Sequence, residues 1–122
     1  MSTIGDLRAS LATALATVVG SVAANRNVSI DKLPAAVISI DAYRPAGQGN
    51  GGYDADVTVD ILVSAAELPK GWEQVDDLVS GNTIATALRA ICDVVSYTSI
   101  GDEIAHDGQR FIGFQASLRV VR

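Results

Sequence analysis

YDADVTVDILVSA, the stretch from Tyr53 to Ala65, alternates apolar and polar side chains almost without a break. Successive side chains of a strand point to opposite faces, so Tyr53, Ala55, Val57, Val59, Ile61, Val63 and Ala65 share one face. Asp54, Asp56 and Asp60 share the other. The pattern predicts a long, half-buried strand, and the rest of the chain is read outward from it. Just before it, Arg44 to Gly52 (RPAGQGNGG) contains one proline and four glycines, a composition that disfavours regular structure. A flexible glycine-rich loop at 44–52 is therefore expected. It would join Tyr53–Ala65 to a short apolar strand, Ala35 to Tyr43, as a long-looped hairpin.

Towards the N-terminus, Ile4, Leu7, Leu11, Ala14, Leu15, Val18 and Val22 recur at helical spacing. They predict an amphipathic helix from about Thr3 to Val19, with Gly20 as its stop. Towards the C-terminus, Trp72, Val75, Leu78 and Val79 form one helical stripe, and Ile84, Leu88, Ile91 and Val95 a second. Ser80-Gly81-Asn82 is a natural break between them. Phe111 to Val121 returns to a period of two, with Ile112, Phe114, Ala116, Leu118 and Val120 on one side and Gln115, Ser117 and Arg119 on the other. A weaker strand between Val94 and Ile104 would lead into it through an Asp107-Gly108 turn. The expected class is α+β, with element order α-β-β-α-β-β in one domain spanning 1–122. Its largely antiparallel sheet would have helices packed on one face and a polar opposite face.

A chain of 122 residues with 48% hydrophobic content can bury one core. Fourteen acidic against nine basic side chains give a formal charge of -5, which argues against a sequence-reading nucleic-acid binder. The single cysteine, Cys92, cannot form an intrachain disulfide and reads as a small buried hydrophobe. Leu11 to Ala24 superficially resembles a signal peptide. Asp6 and Arg8 precede it, however, and its helical spacing fits an amphipathic helix better. Thr13, Thr17, Gly20 and Ser21 make it too short and polar to span a bilayer, so no membrane partner is expected.

Asp54-Ala55-Asp56-Val57-Thr58-Val59 is similar to the nucleophile motif of haloacid-dehalogenase-like phosphotransferases, and Gly101 to Asp107 imitates that family's magnesium-binding acidic segment. Such a nucleophile belongs where a buried parallel strand ends, within reach of an incoming phosphate. Asp54 instead begins a strand after a glycine loop, so this phosphohydrolase is a remote alternative. Aspartates two apart on a strand lie about 7 Å apart, which lets one ion take at most a neighbouring pair. His106 is the only histidine, which excludes a multi-histidine metal site, and it sits in turn-like sequence, which leaves no other histidine for a catalytic triad. The glycine loop opens into an acidic strand, not into a helix N-terminus that could cradle a phosphate. No catalytic residue, cofactor or metal is expected.

An N-terminal amphipathic helix is followed by Leu33-Pro34-Ala35-Ala36-Val37-Ile38 leading into a strand, and then by the alternating strand from Ala55 to Val63. A Trp-containing helical stretch ending in Ile84-Ala85-Thr86-Ala87-Leu88-Arg89-Ala90-Ile91 and a closing strand complete the order. Over most of the chain this arrangement resembles the tail terminator proteins of tailed bacteriophages. The resemblance implies a non-enzymatic virion protein of the tail and neck region, assembled in the host cytoplasm. It implies a hexameric ring that caps the tail tube, stops its polymerisation and joins the tail to the head connector. The implied partners are further copies of the chain, the tail tube protein, the connector protein and genomic DNA that passes through without sequence-specific binding. A different head-to-tail connector or a tube-like subunit is the nearest alternative.

A ring of identical subunits needs two different complementary surfaces on each chain. Asp54, Asp56, Asp60 and Arg119 mark a candidate sheet face, either lining a channel or facing open solvent, where Arg119 would pair with an aspartate if the two strands are neighbours. Arg44, Gln48, Asn50 and Tyr53 mark the loop as a candidate contact between subunits or rings. Trp72 is a candidate interface aromatic, with core packing as its alternative.

Overall fold

The computed structural model describes residues 3–23, 30, 32–45, 52–66 and 68–121. The alternating stretch forms β3, Tyr53–Val63, in which Tyr53, Ala55, Val57, Val59, Ile61 and Val63 are all buried. β3 is the middle strand of a five-stranded mixed sheet of order β1-β2-β3-β5-β4. The other strands are β1 (Ser21–Ala23), β2 (Ala35–Pro45), β4 (Asp93–His106) and β5 (Gln109–Val121). Among the described residues three helices accompany them: α1 (Thr3–Leu15), α2 (Leu68–Ser80) and α3 (Thr83–Leu88).

The α+β character agrees with the sequence reading, but the order differs in two places. β1 is an additional three-residue strand, parallel to β2 through Ser21–Ala35 to Ala23–Val37, in a segment that reads as an irregular connection. The second helical region is two helices, broken where Asn82 adopts a left-handed φ of 52°. The other three strand pairings are antiparallel.

α1 buries Leu7, Leu11 and Leu15, spaced four apart along one face, against the core side of the sheet. It ends at Leu15, short of the expected Val19. The Thr17 hydroxyl donates to the Ala14 carbonyl at 2.7 Å, and the β-branched run Thr17-Val18-Val19 resists continuation. Gly20 then donates its backbone N–H to the Pro34 carbonyl at 2.7 Å, tying the end of this turn to the start of β2. α2 packs close at Gly71, where a side-chain carbon would fall 2.7 Å from both Ile112 Cδ1 and the Ser64 carbonyl. The core joins α1, Val75 of α2, and Ile84 and Leu88 of α3 to the inward residues of β3 and β5. The stripe expected to continue through Ile91 and Val95 leaves the helix. Val95 lies on β4 and is 63% exposed, because the chain has already turned into the edge strand.

The β4–β5 hairpin closes at Asp107-Gly108, both at positive φ (51° and 75°), the conformation a two-residue hairpin turn requires. β4 is longer than expected and irregular. Its pairing with β5 shifts between Val94 and Ser96 and again between Thr98 and Asp102, where Ser99 and Gly101 take positive φ.

Candidate functional site

The side of the sheet away from the helices carries the candidate charges. It is not polar throughout, as the alternation suggested. Ala23, Ala35, Val37, Leu62 and Phe111 form a second buried cluster at one end, with Ile30 and Ile104 packed against it. The physical reason lies in Ile61-Leu62-Val63, where β3 stops alternating because both of its sides are covered.

The polar end of this face is built by register. Asp54 pairs with Arg44 of β2 and Val121 of β5, while Asp56 pairs with Ala42 and Arg119. Directly opposed residues of neighbouring strands project to the same side, so Arg44, Asp54, Asp56 and Arg119 converge. Arg44 Nη2 lies 3.2 Å from Asp54 Oδ1 and Arg44 Nη1 3.1 Å from Asp56 Oδ2. Arg119 Nη2 donates to Asp54 Oδ2 at 3.1 Å. The Arg44–Asp54 contact is an ion pair whose angle falls outside hydrogen-bond geometry at Oδ1. Two arginines thus interleave with two aspartates, and this part of the face is far less acidic than the β3 sequence alone implies.

The hydrogen bond from Arg119, then the Arg44 guanidinium beside it, holds the Asp54 carboxyl below its ordinary value of 3.8. Asp56, followed by Asp54, raises the Arg44 guanidinium in turn. A lowered aspartate pKa contributes stability that is fully present above the unfolded value and lost as pH falls through the folded one. Asp54→Asn is therefore expected to be less stable than wild type near neutral pH, and the gap is expected to shrink as pH falls below about 4. Urea midpoints of both proteins across that range check this. A gap that stays constant with pH would remove Asp54 from the titrating interactions. The ions are partly exposed and solvent-screened, so the difference is expected to be small.

Asp60 stands apart from this quartet, accepting a hydrogen bond from Gln115 Nε2 at 2.9 Å. Between the two lies a residue the sequence reading missed, Asp41. It is the extra residue where the β2–β3 register shifts between Ile40 and Ala42, and it accepts from Thr58 Oγ1 and from Ser39 Oγ. An extra residue in one strand has no signature in a period-two pattern, which is why it was missed. A groove of about 490 Å³ opens beside Asp60, lined also by Ser99, Asp102, Glu103, His106, Asp107 and Gln115. It gathers the acidic segment that imitated a magnesium motif, but Asp54 and Asp56 do not line it, so the two halves of the phosphotransferase pattern are not brought together. Among the described residues no group of three or more His, Cys, Asp or Glu side chains is placed to hold a metal ion.

The remaining candidates scatter. Arg44 and Pro45 belong to β2, not to the loop, and Tyr53 opens β3 on the core side, 8% exposed and stacked on Tyr43 with ring centroids 5.3 Å apart. Gln48 and Asn50 lie outside the described residues. Trp72 projects from α2 and is 48% exposed, so it is not a core residue. Its indole lies over Gly101, where an added side-chain carbon would meet Cδ1 at 3.8 Å. No helix of the described residues is long and apolar enough to cross a membrane. Neither the family models nor the curated proteins compared with the chain match it.

Proposed function

We propose that this chain is a ring-forming virion subunit of the tail-terminator kind, which caps a tail tube, ends its growth and joins it to the head connector. The observation that carries the reading is the division of the sheet. Helices cover one face, while the other presents a charge-paired surface of Arg44, Asp54, Asp56 and Arg119 on which no helix packs among the described residues. Such a surface suits the wall of a channel that DNA must traverse without sticking. Phosphate binding is driven by cations that release counterions, and here both arginines are already engaged by carboxylates. In this reading no side chain has a catalytic role, DNA contact is non-specific, and assembly takes place in the host cytoplasm before the subunit enters the tail and neck of the virion.

The test is the mass and electron-microscopic appearance of the purified protein, alone and mixed with growing tail tubes. A closed ring that stops tube growth is expected. A protein that stays monomeric and leaves tube length unchanged would overturn the reading. Stacking into open-ended tubes would assign it to the tube-like class, and binding to heads without effect on tubes to another connector.

A further inference from the structure

The two sides of the sheet are both left open, and they are open at the same level. β1 covers β2 only from Ala35 to Val37, so among the described residues the outer edge of β2 from Ile38 to Arg44 has no strand against it. β4 is the last strand on the opposite side. Among the described residues no backbone hydrogen bond from a turn or loop reaches either stretch. Following the register across the sheet, Ser39 is level with Thr58, Ser117 and Ser96, and Ile40 with Val57, Leu118 and Val94. The open part of β2 therefore lies directly across the sheet from Asp93–Tyr97 of β4. Beyond Thr98 the shift at Ser99–Gly101 breaks the regular edge, and at the matching level of β2 the edge is taken by β1.

We propose that a second copy of this chain docks there edge to edge, β2 of one subunit hydrogen-bonded to β4 of the next. The proposal rests on the ring reading and names its subunit contact. Three features favour a second copy over another partner. β2 and β4 run in opposite directions, since three antiparallel steps separate them, so a copy placed alongside in the same orientation forms an antiparallel pair. The faces match: Ser39 and Ser96 would lie together on the polar side, Ile40 and Val94 on the helix side. The charges also match, because Asp93 is level with Ala42 and would lie diagonal to Arg44 of the neighbour.

Each open stretch also carries an irregularity, at Asp41 in β2 and between Val94 and Ser96 in β4. Bulges bend strands and sharpen twist, which a sheet continuing around a closed ring needs. The same devices protect edges in monomers, and the experiment separates the two roles.

Ser39 and Ser96 are three strand spacings apart within one chain, about 14 Å, too far for a disulfide, whose Cα atoms lie within about 7 Å. In a Cys92→Ala background, Ser39→Cys with Ser96→Cys is expected to give covalent multimers on mild oxidation of the assembled protein, and either single variant none. Ser39→Lys with Ser96→Lys is expected to shift the assembly to monomer mass with an unchanged circular dichroism spectrum and melting curve. Pairing Ser39→Lys with Ser96→Asp is expected to restore it. Rings that form normally in the double-lysine variant, or that do not cross-link through the paired cysteines, would overturn the edge contact and leave the ring reading standing. A wild-type protein that never assembles would overturn both.

Discussion

Gly113→Ala is expected to be the most damaging glycine-to-alanine substitution among the described residues. A side-chain carbon at this position of β5 would fall 1.7 Å from the Ile61 carbonyl oxygen of β3. The Cβ position is fixed by the β5 backbone and the oxygen is itself main chain, so no rotamer change relieves the overlap, and the two strands would have to separate. Overpacking in a core costs about 1 to 3 kcal/mol and occasionally more, and a clash with main chain belongs at or above the top of that range. Against a total stability of roughly 5 to 15 kcal/mol, the variant is expected to melt far below wild type or to accumulate little soluble protein. Thermal and urea unfolding followed by circular dichroism read the effect. A Gly113→Ala protein within about 1 kcal/mol of wild type would show that β5 does not approach β3 this closely.

Phe114, the next residue, is expected to give the largest loss by truncation. It is fully buried on the helix side of β5, level with Ile61, and meets Tyr97 edge to face with centroids 5.5 Å apart at 84°. Phe114→Ala removes apolar area and leaves a cavity between the sheet and its helices, which places the cost at about 3 to 5 kcal/mol. It also removes an aromatic pair worth on the order of 1 kcal/mol beyond burial. Phe114→Leu keeps most of the volume and is expected to lose less than half as much. A lowered urea midpoint with an unchanged slope would identify the loss as one of packing. Equal stability of the alanine and leucine variants would contradict the cavity argument.

Those two neighbours show what the sequence made legible. Phe114 is found by alternation alone, since Ile112, Phe114, Ala116, Leu118 and Val120 repeat with a period of two and are all buried. Gly113 occupies a polar-side position of the same pattern, and periodicity says nothing about how closely the next backbone approaches. The alternating strands β3 and β5, the helix break at Gly81-Asn82 and the Asp107-Gly108 turn were readable, because each rests on local chemistry. β1 was not readable: three residues are too few to show a period, and their strand character comes from pairing with β2.

The candidate face was half legible. Asp54, Asp56, Asp60 and Arg119 lie on strands β3 and β5, and the condition for Arg119 to pair with an aspartate is met because these strands are neighbours. Arg44 was expected in a loop because Pro45 and the following glycines argued against a strand. Its pairing with Asp54 shows β2 running on to the edge of that glycine tract, and this is what changes an acidic surface into a charge-balanced one.

The strand order β1-β2-β3-β5-β4 has a consequence for how the chain reaches this state. The sheet consists of two sequence-contiguous halves, β1 to β3 within residues 21–63 and β4 to β5 within 93–121, that meet along the β3–β5 seam alone. Partners across that seam are roughly 50 to 70 positions apart, and the entropy of closing such a loop opposes pairing before any long-range contact offsets it. Until the seam closes, the facing edges of β3 and β5 are both unpaired templates, each lined with apolar residues that will become the core. The β3–β5 seam is thus the place in this sheet where an unjoined half would expose a pairing edge to another chain.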